Sequence, residues 1–138
     1  MKKILILILL LIFTQANFAQ LTEAEAKAKI ENDENVYNTN VVEFVPEFPG
    51  GISEFYNYIG KNYRIPNVKG LGGKVFVKFV IEKDGRVDDI VVIRDIGHGT
   101  GNEAIRVLKE CPKWTPGIQN GKNVRVLYSL PINISEVR

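Results

Sequence analysis

The stretch KVFVKFVIE, residues Lys74–Glu82, determines how the rest of the sequence is interpreted. Apolar residues occupy every second position, which is the period of a strand with one buried face. KDGR follows at 83–86, and its Asp-Gly pair supplies the positive φ angles of a tight hairpin turn. We therefore predict a hairpin with a return strand over 87–94. The core face of the first strand is expected to consist of Val75, Val77, Phe79 and Ile81.

The return strand is expected to contain a bulge, the alternative being that Val87 packs on the opposite face. Its apolar residues do not share one parity, and an extra residue in the strand would bring them to the same face. These residues are Val87, Ile90 and Val92.

The last part of the sequence, Asn123–Ile134, alternates in the same way. Its even-numbered residues from Val124 onward are apolar or aromatic, which predicts a long strand with one buried face. Pro131 has no amide hydrogen, so it belongs at a sheet edge or where the neighbouring strand has ended. An exposed last strand is a place where a foreign strand can pair.

Two amphipathic helices are predicted, one before and one after the hairpin. The first covers about 52–62, and its apolar face comprises Ile52, Phe55, Tyr56, Ile59 and Tyr63. The second covers about 102–111, with Thr100 or Asn102 as its N-cap and Pro112 as its stop. Its buried stripe is expected to be Ala104, Ile105, Leu108 and Cys111.

The order of these elements predicts an α+β fold. A short extended segment, Val41–Val45, stops at Pro46 and precedes the first helix. Two helices and a few antiparallel strands pack best as two layers. We expect a two-layer α/β sandwich, in which a small antiparallel sheet carries both helices on one face.

The N-terminus has the three parts of a secretory signal peptide. Met1-Lys2-Lys3 is positively charged, Ile4–Phe13 is an unbroken apolar run, and Ala19 is a small residue at the expected cleavage site. A helix over this run would reach about 15 Å, half of a hydrocarbon core of about 30 Å. We therefore expect residues 1–19 to be cleaved after Ala19 and the mature protein to lie in the periplasm. The alternative is an uncleaved anchor that holds the protein in the inner membrane with its domain facing the periplasm.

The charge of the chain is divided between two segments. Residues 20–47 hold seven acids and two lysines, whereas 48–138 carry a net charge of +5. We assign 20–40 to an acidic N-terminal arm, with a short helix expected over 22–31, and 41–138 to the domain. Without Lys2 and Lys3, the 18 basic residues fall to 16 and equal the 16 acidic ones. This balance argues against a nucleic-acid partner, because such binding needs a basic excess.

The sequence contains few candidate catalytic residues. His98 and Cys111 are single residues of their kind, so a cysteine-hydrolase pair is the only enzymatic alternative. Cys111 is expected to be a buried, inert thiol. Asp84, Asp88 and Asp89 are explained by the turn and by solvated strand positions rather than by calcium binding. We predict a protein that is not an enzyme and that has no cofactor, no metal site and no catalytic residue.

Three blocks, in this order and spacing, resemble the C-terminal domain of TonB, the periplasmic energy transducer of Gram-negative outer-membrane import. They cover about 41–134, and the first is similar to the form found in Bacteroidetes-type members. They are PEFPGG at 46–51, GKVFVKFVIEKDGRV at 73–87, and EAIR at 103–106 through PKWTPG at 112–117 to GKNV at 121–124.

The resemblance implies a binding function in or alongside energy-coupled transmembrane transport. Members of the family bind the TonB box, a short extended peptide of a TonB-dependent outer-membrane receptor, beside the last strand. Backbone groups of that strand would supply most of the affinity. The residues implied at this edge are Arg125, Val126, Leu127, Tyr128 and Ser129.

Two questions about partners stay open at this point. The same edge suits a free-standing adaptor that binds another envelope protein or peptidoglycan and has no role in transport. The inner-membrane proton-driven complex is a partner only if the leader is retained. An exposed edge also makes a homodimer physically reasonable.

Overall fold

Residues 35–135 are the part of the chain that the structure, a computed structural model, describes. The signal peptide expected at 1–19 and the helix expected over 22–31 both lie outside it. Within it, no helix has the length and apolar character needed to cross a membrane. Its elements are β1 (Val36–Asn38), α1 (Ile52–Asn62), β2 (Gly72–Ile81), β3 (Val87–Arg94), α2 (Thr100–Lys109), β4 (Gly117–Gln119) and β5 (Lys122–Ser135).

The sheet has the strand order β1-β5-β2-β3, and β4 pairs with the start of β5. Strand β2 runs antiparallel to both of its neighbours, whereas β1 runs parallel to β5. Both helices contribute to one core with the same face of the sheet. The α+β prediction is therefore confirmed, but the sheet is mixed rather than purely antiparallel, because β1 joins it from the N-terminal side. The compact unit already includes Val36, which precedes the predicted domain boundary at 41.

The central strand follows its predicted alternation. Its four predicted core residues, Val75, Val77, Phe79 and Ile81, are fully buried, and Val80 on the opposite face is also buried. The predicted bulge in β3 is confirmed, since the register to β2 shifts between Lys78 and Val80 and Asp89 takes a φ of 48°. Two apolar residues of β3, Val91 and Ile93, remain exposed.

Helix α1 has the predicted bounds but a narrower buried face. Phe55, Ile59 and Tyr63 are buried, whereas Ile52 is 46% and Tyr56 39% exposed. The prediction was wrong for these two residues because they lie at the margin of the apolar arc. Tyr56 instead reaches across to β5, as described below.

Helix α2 starts earlier than predicted, at Thr100, and ends at Lys109. Gly99 is its N-cap and makes no side-chain capping bond, while the Thr100 hydroxyl donates to the Gly97 carbonyl at 2.7 Å. The predicted Thr100 or Asn102 cap is therefore wrong. Because the helix ends before Cys111, the buried stripe also differs from the predicted one. Ala104, Val107 and Leu108 are buried, and Ile105 and Cys111 are only half-buried.

The extended segment predicted over Val41–Val45 is wrong. The chain reverses direction there, with the Val41 amide donating to the Asn38 carbonyl at 3.1 Å. Only Phe44 forms a bridge, to Ile118 next to β5. The apolar side chains of this segment find no continuous strand to pair with, and several stay exposed.

A buried hydroxyl makes the stability of this fold sensitive to alkali. Tyr63 donates to the Thr100 carbonyl at 2.6 Å, and burial, together with the negative charges of Glu103 and Asp95, raises its pKa to about 12. An unfolded tyrosine titrates at about pH 10. Between pH 10 and 12 the folded state therefore keeps the Tyr63 proton that the unfolded chain has lost. The contribution of this hydroxyl to the free energy of unfolding is fully present below pH 10 and is lost as the pH rises to 12.

We expect Tyr63→Phe to be less stable than the unsubstituted protein at pH 8 by about 1 kcal/mol, because the Thr100 carbonyl loses its partner. The difference should shrink between pH 10 and 12, where deprotonation of residue 63 destabilises only the unsubstituted protein. Urea unfolding across this pH range measures both values. A difference that stays constant with pH would contradict the assigned role of the hydroxyl.

Candidate functional site

The two edges of β5 are used differently. One edge pairs with β2 from Val126 to Ser135. The other meets β1 in parallel over Arg125–Leu127. Within the part of the chain that the structure describes, no strand pairs with this second edge beyond Leu127. An open strand edge is therefore present at the second half of β5.

Pro131 shows which main-chain groups face the open edge. Proline fits inside this strand only where its nitrogen points away from β2. Its carbonyl accepts a hydrogen bond from the Tyr56 hydroxyl at 3.1 Å, which is consistent with this orientation. In an antiparallel ladder the N–H and C=O of one residue point to the same side and alternate along the strand. Leu127, Ser129 and Asn133 have the parity of Pro131, so they also direct these groups away from β2.

A cleft of about 450 Å³ opens where β1 stops. It is bounded on one side by the chain that leaves the sheet after β1 and on the other by the edge of β5. Its lining contains amides, hydroxyls and apolar groups but no charged side chain. The lining residues are Asn38, Thr39, Asn40, Val45, Leu127, Tyr128 and Ser129.

The outer wall of the cleft is anchored by backbone hydrogen bonds. Phe44 and Ile118 exchange two of them, at 3.1 and 3.0 Å, and Glu47 and Thr115 exchange two more, at 3.0 and 2.8 Å. These bridges flank Val45. They fix the wall against the segment that leads into the β4–β5 hairpin.

Of the five residues predicted for this site, Arg125 and Val126 have side chains that cannot contact a ligand at the edge of β5. Val126 is fully buried. The Arg125 guanidinium donates to the Glu82 carboxylate from Nε at 2.9 Å and from Nη2 at 3.0 Å, and it also contacts Asp89 at 3.2 Å. Such a two-bond pair fixes the guanidinium in place. Arg125 therefore ties β5 to the end of β2 and to the bulge of β3.

The other three predicted residues, Leu127, Tyr128 and Ser129, line the cleft together. Tyr128 is half-buried. Its ring stacks on that of Phe79, with the ring centroids 5.8 Å apart, and the Trp114 ring centroid lies 5.1 Å away. Burial raises the pKa of its hydroxyl, which therefore stays protonated as a donor. Ser129 is exposed and presents both its hydroxyl and its outward main chain.

The sequence did not indicate the residues that complete the cleft from the N-terminal side. Asn38, Thr39 and Asn40 fell within the predicted acidic arm, and Val45 was assigned to an extended segment. A polar Asn-Thr-Asn run is typical of a turn. That turn composition was the only available signal.

The residues of the enzymatic alternative show no sign of activation. Cys111 is half-buried, and burial raises the pKa of its thiol, which disfavours the nucleophilic thiolate. His98 is exposed in the loop before α2, with a φ of 57°. In residues 35–135, no three His, Cys, Asp or Glu side chains are grouped so that they could hold a metal ion.

Residues 67–134 match the family model described as Gram-negative bacterial TonB protein C-terminal. The match starts before β2 and ends one residue before the end of β5, so it contains the open edge. It leaves out β1 and the residues that form the outer wall of the cleft. No curated protein matches the chain.

Proposed function

Since the domain at residues 67–134 belongs to the TonB C-terminal family, whose members are envelope-associated protein-interaction modules, we propose that this chain binds an extended receptor peptide. The peptide is the TonB box of a TonB-dependent outer-membrane receptor, and it adds as a strand to the second edge of β5. The module acts in or alongside energy-coupled transmembrane transport. It performs no catalysis of its own.

The observation that carries this proposal is the unpaired edge of β5 next to an uncharged cleft. An added strand takes its affinity from main-chain hydrogen bonds and its specificity from pockets for alternate side chains. The outward N–H and C=O of Ser129 supply part of the first requirement. The cleft lined by Leu127, Tyr128 and Ser129 supplies the second.

The same proposal places the protein in the periplasm. Residues 1–19 would be removed after Ala19, and the acidic arm assigned to 20–40 would lead directly into the domain, since its last residues include β1. If the leader is instead retained, the chain becomes an anchored protein that can also contact the inner-membrane proton-driven complex. The intact mass of the protein from its native envelope fraction separates these two cases.

A proline at position 129 tests the strand-addition model. In Ser129→Pro the outward amide hydrogen is lost, while the ladder to β2 is kept because residue 129 has the parity of Pro131. We expect the Kd for a synthetic receptor N-terminal peptide to rise about tenfold or more, since one main-chain hydrogen bond and its close approach are lost. Isothermal titration calorimetry measures the Kd.

Ser129→Ala is the matched control. It removes the hydroxyl but keeps the amide hydrogen, so its Kd should change by less than about threefold. Circular dichroism must show that both variants are folded. Equal affinity of the proline and alanine variants would rule out main-chain pairing at this position. If no receptor peptide binds the folded, unsubstituted protein, the adaptor alternative becomes the better account.

A further inference from the structure

Strand β1 occupies part of the edge that the proposed peptide needs. It pairs in register with Arg125, Val126 and Leu127, which are three of the five residues of the predicted site. We propose that β1 is a resident strand, which covers this edge in the free protein and is displaced when the peptide binds. This inference rests on the proposed function and adds a mode of regulation to the same site.

The burial of β1 shows that it is weakly held. The strand has only three residues. Val36 is 42% exposed, Asn38 is exposed and Tyr37 is half-buried. Among the described residues, β1 pairs with β5 alone. A segment with few buried apolar contacts opens locally at low free-energy cost, without unfolding the rest of the domain.

The chain after β1 has a place at which it can move. A turn follows at once, closed by the hydrogen bond from the Val41 amide to the Asn38 carbonyl. The next firm attachments are at Glu43, whose amide donates to Gln119 Oε1 at 2.9 Å, and at Phe44. Residues 36–42, which include Asn38, Thr39 and Asn40 of the cleft lining, can therefore leave the edge while Val45 stays anchored.

The edge is also occupied on the far side of the predicted site. The Tyr56 hydroxyl donates to the carbonyl of Pro131. Between β1 and this contact, Ser129 is the one residue whose parity directs both main-chain groups outward. A single residue cannot hold a strand, whereas departure of β1 adds the outward groups of Arg125 and Leu127. Full use of the site thus requires β1 to leave.

A resident strand has a physical advantage in the free protein. An uncovered edge pairs with other chains and promotes aggregation. The cost is a weaker apparent affinity, because the peptide binds only the fraction of molecules in which β1 has left. We therefore expect peptide affinity to increase when β1 is weakened and to decrease when it is locked.

Two variants of the full chain test this expectation, with a receptor N-terminal peptide as the probe. Tyr37→Pro disrupts β1, and its matched control Tyr37→Val keeps the amide hydrogen and introduces a β-branched side chain that favours a strand. Tyr37→Pro should bind the peptide several-fold more tightly than Tyr37→Val. Equal or weaker binding would overturn the inference.

The second variant carries Asn38→Cys and Leu127→Cys in a Cys111→Ser background. Positions 38 and 127 are direct partners in the β1–β5 register, so oxidation would lock β1 in place. The reduced form of the same protein is its own control. We expect the oxidised form to bind at least tenfold more weakly, with disulfide formation verified by intact mass.

Equal affinity of the oxidised and reduced forms would overturn the displacement of β1 while leaving peptide binding intact. If no receptor peptide binds the reduced form, the unsubstituted protein and Tyr37→Pro, the proposed function itself fails and the displacement fails with it. The two failures are thereby distinguished.

Discussion

Replacing Trp114 by alanine should lower the free energy of unfolding by about 3–5 kcal/mol, the usual cost of deleting a fully packed aromatic side chain. Trp114 is 3% exposed and stands at the centre of the aromatic core. Four rings lie with their centroids 5.1 to 5.9 Å from its own; these are Phe48, Phe55, Phe79 and Tyr128. They come from α1, β2, β5 and the segment before α1, so one substitution loosens contacts between several elements.

Small domains have a total stability of about 5–15 kcal/mol, so a loss of this size leaves little reserve. Urea unfolding followed by circular dichroism measures it. Because Tyr128 packs against Trp114 and lines the cleft, we also expect the alanine variant to lose peptide affinity. A loss no larger than that of Lys113→Ala, an exposed neighbour, would contradict the central role of Trp114.

Trp114→Phe is the informative control. The buried indole N–H makes no hydrogen bond of good geometry, and it interacts only weakly with the Cys111 thiol. Phenylalanine removes this unsatisfied donor and keeps most of the ring contacts. Part of the lost packing is therefore offset, and the variant should be clearly more stable than Trp114→Ala.

The long strands could be predicted because their burial follows a period of two. The sheet has one covered face, so a residue in β2 or β5 is apolar when it points to the helices and mostly polar when it does not. The same pattern predicted the bulge in β3, since its apolar residues require a change of parity. Pro131 similarly required a place where no neighbouring strand needs its amide hydrogen, and in the structure it lies beyond the end of β1.

Strand β1 could not be predicted, because nothing local requires it. Residues 36–38 join the sheet only because the edge of β5 is free at Arg125–Leu127, and a free edge is a tertiary property. The more apolar run at Val41–Val45 looked like the better strand. Apart from the single bridge between Phe44 and Ile118 it meets no neighbouring strand, and β propensity without a continuous partner does not make a strand.

The role of Arg125 also depends on tertiary contacts. From the sequence it was one outward residue of an edge strand. Its ion pairs require Glu82 at the end of β2 and Asp89 in the bulge of β3 to meet on one face of the sheet. The spacing of these residues in the chain does not reveal this meeting, because it depends on the register between three strands. The site was therefore predicted as a stretch of backbone but not as a set of side chains.

Gly85→Ala is expected to destabilise the domain by about 2–5 kcal/mol, through backbone strain and steric overlap together. Gly85 lies in the hairpin turn with a φ of 87°, and a Cβ there would lie 1.9 Å from the Trp114 carbonyl oxygen. The new Cβ is bonded directly to the backbone of the turn, and the atom it meets is a backbone oxygen, so no side-chain rotation can relieve the overlap. The turn must then separate from the residue at the centre of the core, breaking the hydrogen bond from the Trp114 amide to the Gly85 carbonyl at 2.8 Å.

Gly97→Ala separates the two causes. Gly97 has a similar φ of 76°, but no heavy atom outside its immediate chain neighbours lies within 4 Å of the position that an alanine methyl group would take there. The free energy of unfolding of Gly97→Ala should therefore fall only by the cost of an alanine in the left-handed region, about 1–2 kcal/mol. The difference between the two variants in urea unfolding measures the close approach of the hairpin to Trp114. Because that approach joins the β2–β3 turn to the chain leading into β5, equal losses in the two variants would mean that the turn does not support the edge at which the peptide is proposed to bind.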